Sequence, residues 1–299
     1  MTTRKIFDAH HHLWKLDHCD YPWLMAKGVK RFFGDPAPIQ KDYLVEDFQY
    51  DAKSFALVGS THIQVGVAES DAVKETTWLQ GQGDEKGLPS AIVGFADLTP
   101  NDIETTLSAH MQNKRFRGVR QIIGRHPSED EKTGTGALIE NPRFLHGLQL
   151  LAQNDLSFDL QLTAAHYDGA LQLFRQLPAL KLAICHFASP WDLSQAGFDQ
   201  WRGAMKEFAQ LPNTAMKFSG FGMFKHDWTA EDIRPYVDTA LEFFGEDRCM
   251  AGSNFPVDKL YGGYDRIWRA LETLIADDLL YEKITLTNAA WFYGVSLRD

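Results

Sequence analysis

Long apolar runs are missing from this 299-residue chain: none approaches the ~18–20 residues that span a bilayer. The opening stretch MTTRKIFDAH also lacks the apolar centre of a secretion signal. A membrane protein is therefore not expected. Cysteine is scarce. Cys19, Cys185 and Cys249 are odd in number and far apart, and they form no CxxC pair. That argues against a disulfide framework and makes a reducing, cytoplasmic setting the expectation. Basic charge is also short, with 30 basic against 40 acidic residues, a net charge of −10 and no basic block. This argues against nucleic acid and anionic membranes as partners. Neither GxGxxG nor GxxxxGK[ST] occurs, so no phosphate-cradling loop is signalled. No linker, low-complexity run or repeat divides the chain, and a single domain over 1–299 is expected.

What is present is ample core material, at 44% hydrophobic residues, and an aromatic content of 12% that suits a deep pocket. Short, nearly continuous apolar runs recur at 5–10, 56–65, 91–97, 118–123, 157–162, 181–187, 214–219 and 248–253. Runs of this kind read as parallel strands buried on both faces. Between them the apolar residues return with helical spacing: Ala170, Leu173, Phe174 and Leu177; Val237, Ala240, Leu241 and Phe244; Ile267, Ala270, Leu271 and Leu274. Asn141-Pro142 reads as an N-cap followed by proline at the first helical position. Eight strands alternating with helices predict a single-domain (β/α)8 barrel, with a doubly wound open sheet as the alternative.

In a barrel the chemistry gathers at the carboxyl ends of the strands. Those ends carry His10 and His12, Gln64, Asp97, Arg120, Gln161, His186, Lys217 and Ser219, and Asn254. Polar groups at nearly every strand end are costly unless they face a polar pocket. The stretch FDAHHHLW places His10 and His12 two residues apart on an extended segment, so both face one way and His11 the other. Two such imidazoles can share a metal ion or bind a substrate oxygen. His62 reads as structural. His18, His110, His126, His146, His166 and His226 read as solvated surface histidines. Arg120 and Lys217 need an acidic neighbour or an anionic ligand if buried. Trp14, Tyr21 and Trp23 lie in a connection, from Leu13 to about Tyr43, that is too long for a simple turn and suits a lid or pocket wall.

The ordered set DAHHHLW, DYPWL, GVRQII, CHFASP, MKFSG, GSNFPVD and NAAWFYGV resembles the amidohydrolase superfamily, from Phe7 to about Val295. It is most similar to the amidohydrolase-2 branch, which contains hydrolases of sugar-acid and aromatic-derived lactones. The resemblance implies a (β/α)8 hydrolase in which His10, His12 and His186 match positions that commonly bind a divalent metal. It breaks at strand eight, where family members with GSDWP carry aspartate and this chain has Asn254. It also breaks after strand five, where FDLQL ends in Gln161 rather than lysine or histidine.

Asparagine is neutral and its carbonyl is a poor base. A metal held by His10, His12, His186 and Asn254 lacks any anionic protein ligand. The expected cofactor is therefore none, or a weakly held zinc or manganese ion. The base that activates water is then Asp258, if its loop turns back over the pocket, or His186. Lactones are activated esters and tolerate a missing metal better than amides do. The expected activity is therefore opening of a lactone, of sugar-acid or dicarboxylate type, by water. His10, His12, His186, Asn254 and Asp258 are its catalytic candidates. Gln64, Arg120, Lys217, Trp14 and Trp23 are its substrate-binding candidates. The alternatives are a metal-dependent decarboxylase, another amidohydrolase-type hydrolase, or a ligand-binding barrel without catalysis. The expected partner is a small-molecule lactone, and a homo-oligomer is left open.

Overall fold

The computed structural model describes residues 4–126, 128–130 and 135–297. Its eight strands are β1 (Lys5–His11), β2 (Ala56–Ile63), β3 (Ala91–Gly94), β4 (Phe116–Val119), β5 (Ser157–Leu160), β6 (Lys181–Ile184), β7 (Thr214–Phe218) and β8 (Cys249–Ala251). They pair in chain order in one sheet, every neighbour parallel. β8 returns to β1 at the mouth. There the Asn254 N–H donates to the His10 carbonyl at 2.7 Å, and the His12 N–H to the Phe255 carbonyl at 2.8 Å. Gly252 permits this approach, because a Cβ there would lie 2.7 Å from the His10 backbone nitrogen. The fold is the expected (β/α)8 barrel.

Each expected strand is present, but most stop two or three residues short of the expected carboxyl end. The reason is local and shows best at β6. The apolar run continues to Phe187, yet His186, Phe187, Ala188 and Ser189 all have φ between 51° and 57°. That left-handed run tears the chain out of the ladder and turns it over the pocket. Backbone of this kind concentrates at functional sites.

The helical periodicities correspond to Tyr167–Phe174, Ala230–Phe244 and Arg266–Leu274, whose apolar faces pack against the outside of the barrel. Asn141 caps the helix Pro142–Gln153, its Oδ1 accepting from the Arg143 N–H at 2.9 Å. His110 departs from its surface reading. It faces inward from the helix Ile103–Met111, fully buried, with Nδ1 2.9 Å from Thr76 Oγ1 and its ring stacked on Phe116.

Inside the barrel, Phe7, Ala9, Ile63, Ala91, Val93, Ala183, Ala215 and Met250 form one apolar cluster. The helix Asn288–Phe292 plugs the floor from below. Side-chain filling of this sort makes the lower barrel a packed core. The three cysteines are buried and free. Among the described residues no helix is long and apolar enough to cross a membrane.

Candidate active site

A cavity of about 210 Å³ opens at the carboxyl ends of the strands. His12, Arg120, Gln161, His186 and Asn254 form its inner end, and Trp23, Arg31, Phe33, Arg125 and Met223 stand among its walls. His10 lies against these two histidines but outside the lining: its ring centroid is 5.1 Å from that of His12 and 4.3 Å from that of His186. His11 points away, as strand alternation requires, stacking on Phe48 at 4.0 Å with Nε2 2.9 Å from Ser60 Oγ.

Each ring is fixed differently. His12 Nδ1–H donates to the Ile63 carbonyl at 2.7 Å, which leaves the Nε2 lone pair facing Asn254 Oδ1 at 3.2 Å. Asn254 Oδ1 points that way because its Nδ2 donates to Asp258 Oδ1 at 2.7 Å. Asn254 adopts φ 55°, a left-handed conformation that asparagine tolerates better than most residues. His186 Nδ1 lies 3.0 Å from Ser219 Oγ, and Gly220 makes room for that ring, since a Cβ there would sit 2.4 Å from Nδ1. Both ring nitrogens of His10 are buried without a partner among the described residues.

Arg120 is buried at 4% exposure. Its Nη1 donates to Gln161 Oε1 at 3.0 Å and its Nη2 to the Gln64 carbonyl, while Nε has no partner among the described residues. Gln64 serves as its brace: Nε2 donates to the Arg120 carbonyl and Oε1 accepts from Gly66, so the side chain is spent and does not line the cavity. Lys217 lies beneath the histidines, fully buried, 2.5 Å from Asp159 and 2.9 Å from the Ala9 carbonyl. Tyr293, rising from the plug helix, donates to the same Asp159 carboxylate. The acidic neighbour that a buried Lys217 requires is thus Asp159. Trp14 stands one layer out. Its Nε1 donates to the Lys41 carbonyl, and it packs edge-on against Trp23, which does line the cavity. Asp258 sits behind Asn254, outside the lining.

Burial pushes the three imidazoles down, with neighbouring positive charge adding to it. His10 and His186 fall well below the ordinary histidine value, and His12 falls to about 3, with the Arg120 charge its second cause. All three are neutral at neutral pH. Burial drives Asp258 the other way, from 3.8 up to about 7, against the stabilising hydrogen bond from Asn254.

These residues do not fit a tightly held divalent cation. The donors facing the cavity are neutral nitrogens and an amide oxygen, and the Arg120 and Lys217 charges add to burial in depressing the imidazoles. Among the described residues no group of three or more His, Cys, Asp or Glu is arranged to hold a metal ion. Neutral ligands beside the Arg120 guanidinium offer a dication little to offset its lost hydration.

Sequence reasoning missed Asp159, Arg31 and Arg125. Asp159 had a signal, since Asp159 and Gln161 are two apart on β5 and its continuation and so face the same way. Arg31 and Arg125 had none, because both ride on loops whose course only the tertiary structure sets.

A 300-residue stretch aligns this chain at 42% identity with the protein y4mH of Sinorhizobium fredii, covering 99% of this chain and all of that one. L-fucono-1,5-lactonases of Burkholderia ambifaria and Burkholderia multivorans are 25% and 27% identical, over 86% and 89% of this chain and 82% and 86% of theirs. A solved amidohydrolase of Burkholderia multivorans matches the fold in two crystal forms, one with bound HEPES and one with bound zinc. The TM-scores are 0.83 and 0.82, the identities 24% and 23%, and each match covers 97% of this chain and 99% of that one. The family model described as Amidohydrolase matches residues 7–295. With that match over nearly its whole length, the chain belongs to the amidohydrolase family and is a hydrolase.

Proposed function

We propose that this barrel opens a lactone by adding water to its carbonyl, using side chains alone. The observation that carries the reading is the pairing at the inner end of the cavity. An uncompensated Arg120 guanidinium stands beside a His12 whose Nε2 lone pair is free and already faced by an acceptor for the proton it would gain. The L-fucono-1,5-lactonase relatives support lactone as the bond attacked.

In this reading the lactone carbonyl oxygen lies against Arg120, and water adds to the carbonyl carbon. His12 Nε2 takes the proton that water loses. The new Nε2–H donates to Asn254 Oδ1, while Nδ1–H keeps its bond to Ile63, so the imidazolium is hydrogen-bonded at both ends. The tetrahedral intermediate then breaks its bond to the ring oxygen, and His12 returns the proton to that oxygen, leaving a hydroxy acid. His12 is a weak base in the empty cavity because of burial first and the Arg120 charge second. Negative charge forming on the carbonyl oxygen offsets that charge, so His12 gains basicity as the intermediate forms. The stabilisation is therefore specific to the transition state.

His186 and His10 line and floor the centre and fix the substrate ring. Asp258 acts through Asn254 as a positioning residue, and Gln64 does the same through Arg120. Lys217, with Asp159, holds the floor on which His10 rests. Trp23 forms an apolar wall, and Trp14 backs it.

The test is a pH-indicator assay of the purified protein on sugar-acid lactones. Hydrolysis should fall by ~10²–10⁴ in His12→Ala, the range for a general base. In Arg120→Met it should fall by ~10²–10³, the range for an oxyanion donor. Wild-type protein inert on all lactones, or variants as active as wild type, would overturn the reading.

A further inference from the structure

Two arginines that the reaction scheme does not use stand in the same cavity. Arg31 comes from the long connection after β1, and Arg125 from the loop after β4. Both lie in loops over the mouth, whereas Arg120 is the first residue past β4 and lies at the inner end. None of the residues lining the cavity is aspartate or glutamate, so its described wall carries three guanidiniums and no acid.

The two outer arginines are held in place by contacts that leave donors over. Arg31 closes a tight hairpin, exchanging backbone hydrogen bonds with Gly34 at 2.7 and 2.9 Å. Its Nη2 donates to Glu129 at 2.9 Å, its guanidinium lies 5.8 Å from the Trp23 ring, and its Nε is buried with no partner among the described residues. Arg125 is pinned by its backbone. Its N–H donates to Asp130 Oδ1 at 2.8 Å, and its carbonyl accepts from Trp191 Nε1 at 2.9 Å. Trp191 packs edge-on against Phe32, the neighbour of Arg31, at 5.5 Å, so one aromatic cluster positions both arginines. Glu129 and Asp130 are the acids next to the pair, and both lie outside the cavity lining. Burial lowers the proton affinity of the Arg125 guanidinium and the Arg31 charge lowers it further, with Glu129 and Asp130 offsetting part of this from outside the cavity.

Loop arginines normally turn out to water, where their charge is solvated. Here they turn into a cavity walled by Trp23, Phe32, Phe33 and Ile122. Charge of one sign gathered in a low-dielectric cleft selects a ligand of the other sign. Planar guanidiniums match carboxylate geometry. Resting on the lactone reading above, we infer that the substrate is a lactone bearing a carboxylate at the end remote from the reacting carbonyl, and that Arg31 and Arg125 form the subsite that holds it. The reacting carbonyl then falls to Arg120 and His12 at the inner end.

The test compares two lactones that differ at one carbon. D-Glucono-1,4-lactone ends in a hydroxymethyl group and D-glucaro-1,4-lactone in a carboxylate. Wild-type kcat/KM should favour the carboxylate form by ~10-fold or more, the size of a charge-assisted hydrogen-bonded contact. Arg125→Met and Arg31→Met should each shrink that ratio, chiefly through KM, and Arg125→Lys should restore part of it. The wild-type ratio should also shrink as salt rises. Independently of turnover, glutarate should bind wild-type protein in calorimetry and bind Arg125→Met at least ~10-fold more weakly. Glutarate binding that depends on Arg125, with both lactones inert, would keep the anion subsite and overturn the lactone reading. Equal turnover of both lactones with no glutarate binding would keep the lactone reading and overturn the subsite.

Discussion

Replacing Asp258 by asparagine should make the protein more stable at alkaline pH while making it a poorer catalyst. Asp258 is half-buried behind Asn254, and burial raises its carboxyl from 3.8 to about 7. A native-state value above the unfolded one means that the native state holds the proton longer. The contribution to stability is then fully present below pH 3.8 and is lost as pH rises through about 7. That gap corresponds to about 4 kcal/mol. The amide in Asp258→Asn would carry no such cost, since it never ionises. Its oxygen can still accept from Asn254 Nδ2, but its own N–H would replace an oxygen that now faces Gly222. That mismatch costs about 1–3 kcal/mol at every pH. The variant should therefore be less stable than wild type at pH 4 and more stable at pH 9. The difference should swing by about 4 kcal/mol between the two. Urea denaturation across that range measures it. Activity should run the other way. The ionised carboxylate is what aims Asn254 Oδ1 at His12, so wild-type kcat/KM should rise through a pH near 7 and the variant should lose that limb. Parallel stability curves, or an unchanged acidic limb in the variant, would refute the reasoning.

Asp159→Asn leaves the Lys217 ammonium fully buried without its partner, and should cost about 3–5 kcal/mol in urea denaturation. Pairing it with Lys217→Met should recover a large part of that loss, and additive losses would show that the pair is not coupled. His11→Ala should lower the melting temperature, because it removes the stack on Phe48 and the bond to Ser60, while kcat stays within a few-fold of wild type. A larger kcat loss in His11→Ala than in His12→Ala would reverse the assignment of faces. Asn254→Asp should raise the metal content measured by elemental analysis, since it adds an anionic hard oxygen beside His12. Unchanged metal content would show that charge at this position does not set metal affinity.

The barrel was legible because buried parallel strands are written as apolar runs, and eight of them alternate with 3.6-residue periods. The strand ends were less legible. Hydropathy continues through Phe187, whereas the turn at His186–Ser189 depends on backbone dihedrals that the sequence does not signal. His10, His12, His186 and Arg120 could be read from their places at strand ends, because the topology alone brings those ends together. Lys217 could be placed but not its partner, since pairing with Asp159 requires the shear that brings β5 and β7 to one level inside the barrel. His110 was misread because one polar residue on an amphipathic helix does not reveal which side of the apolar stripe it occupies. Arg31 and Arg125 lay beyond reach, as loop residues whose direction follows from the Trp191 and Phe32 packing.

The central claim is that neutral imidazoles and a guanidinium open the lactone without a resident metal. It is tested most directly by lactone hydrolysis in protein stripped by prolonged chelation, with metal content measured on the same sample. The account predicts that kcat/KM persists with metal far below one ion per chain, and that added zinc changes it little. Loss of activity on stripping, with full recovery on adding one ion per chain, would contradict it.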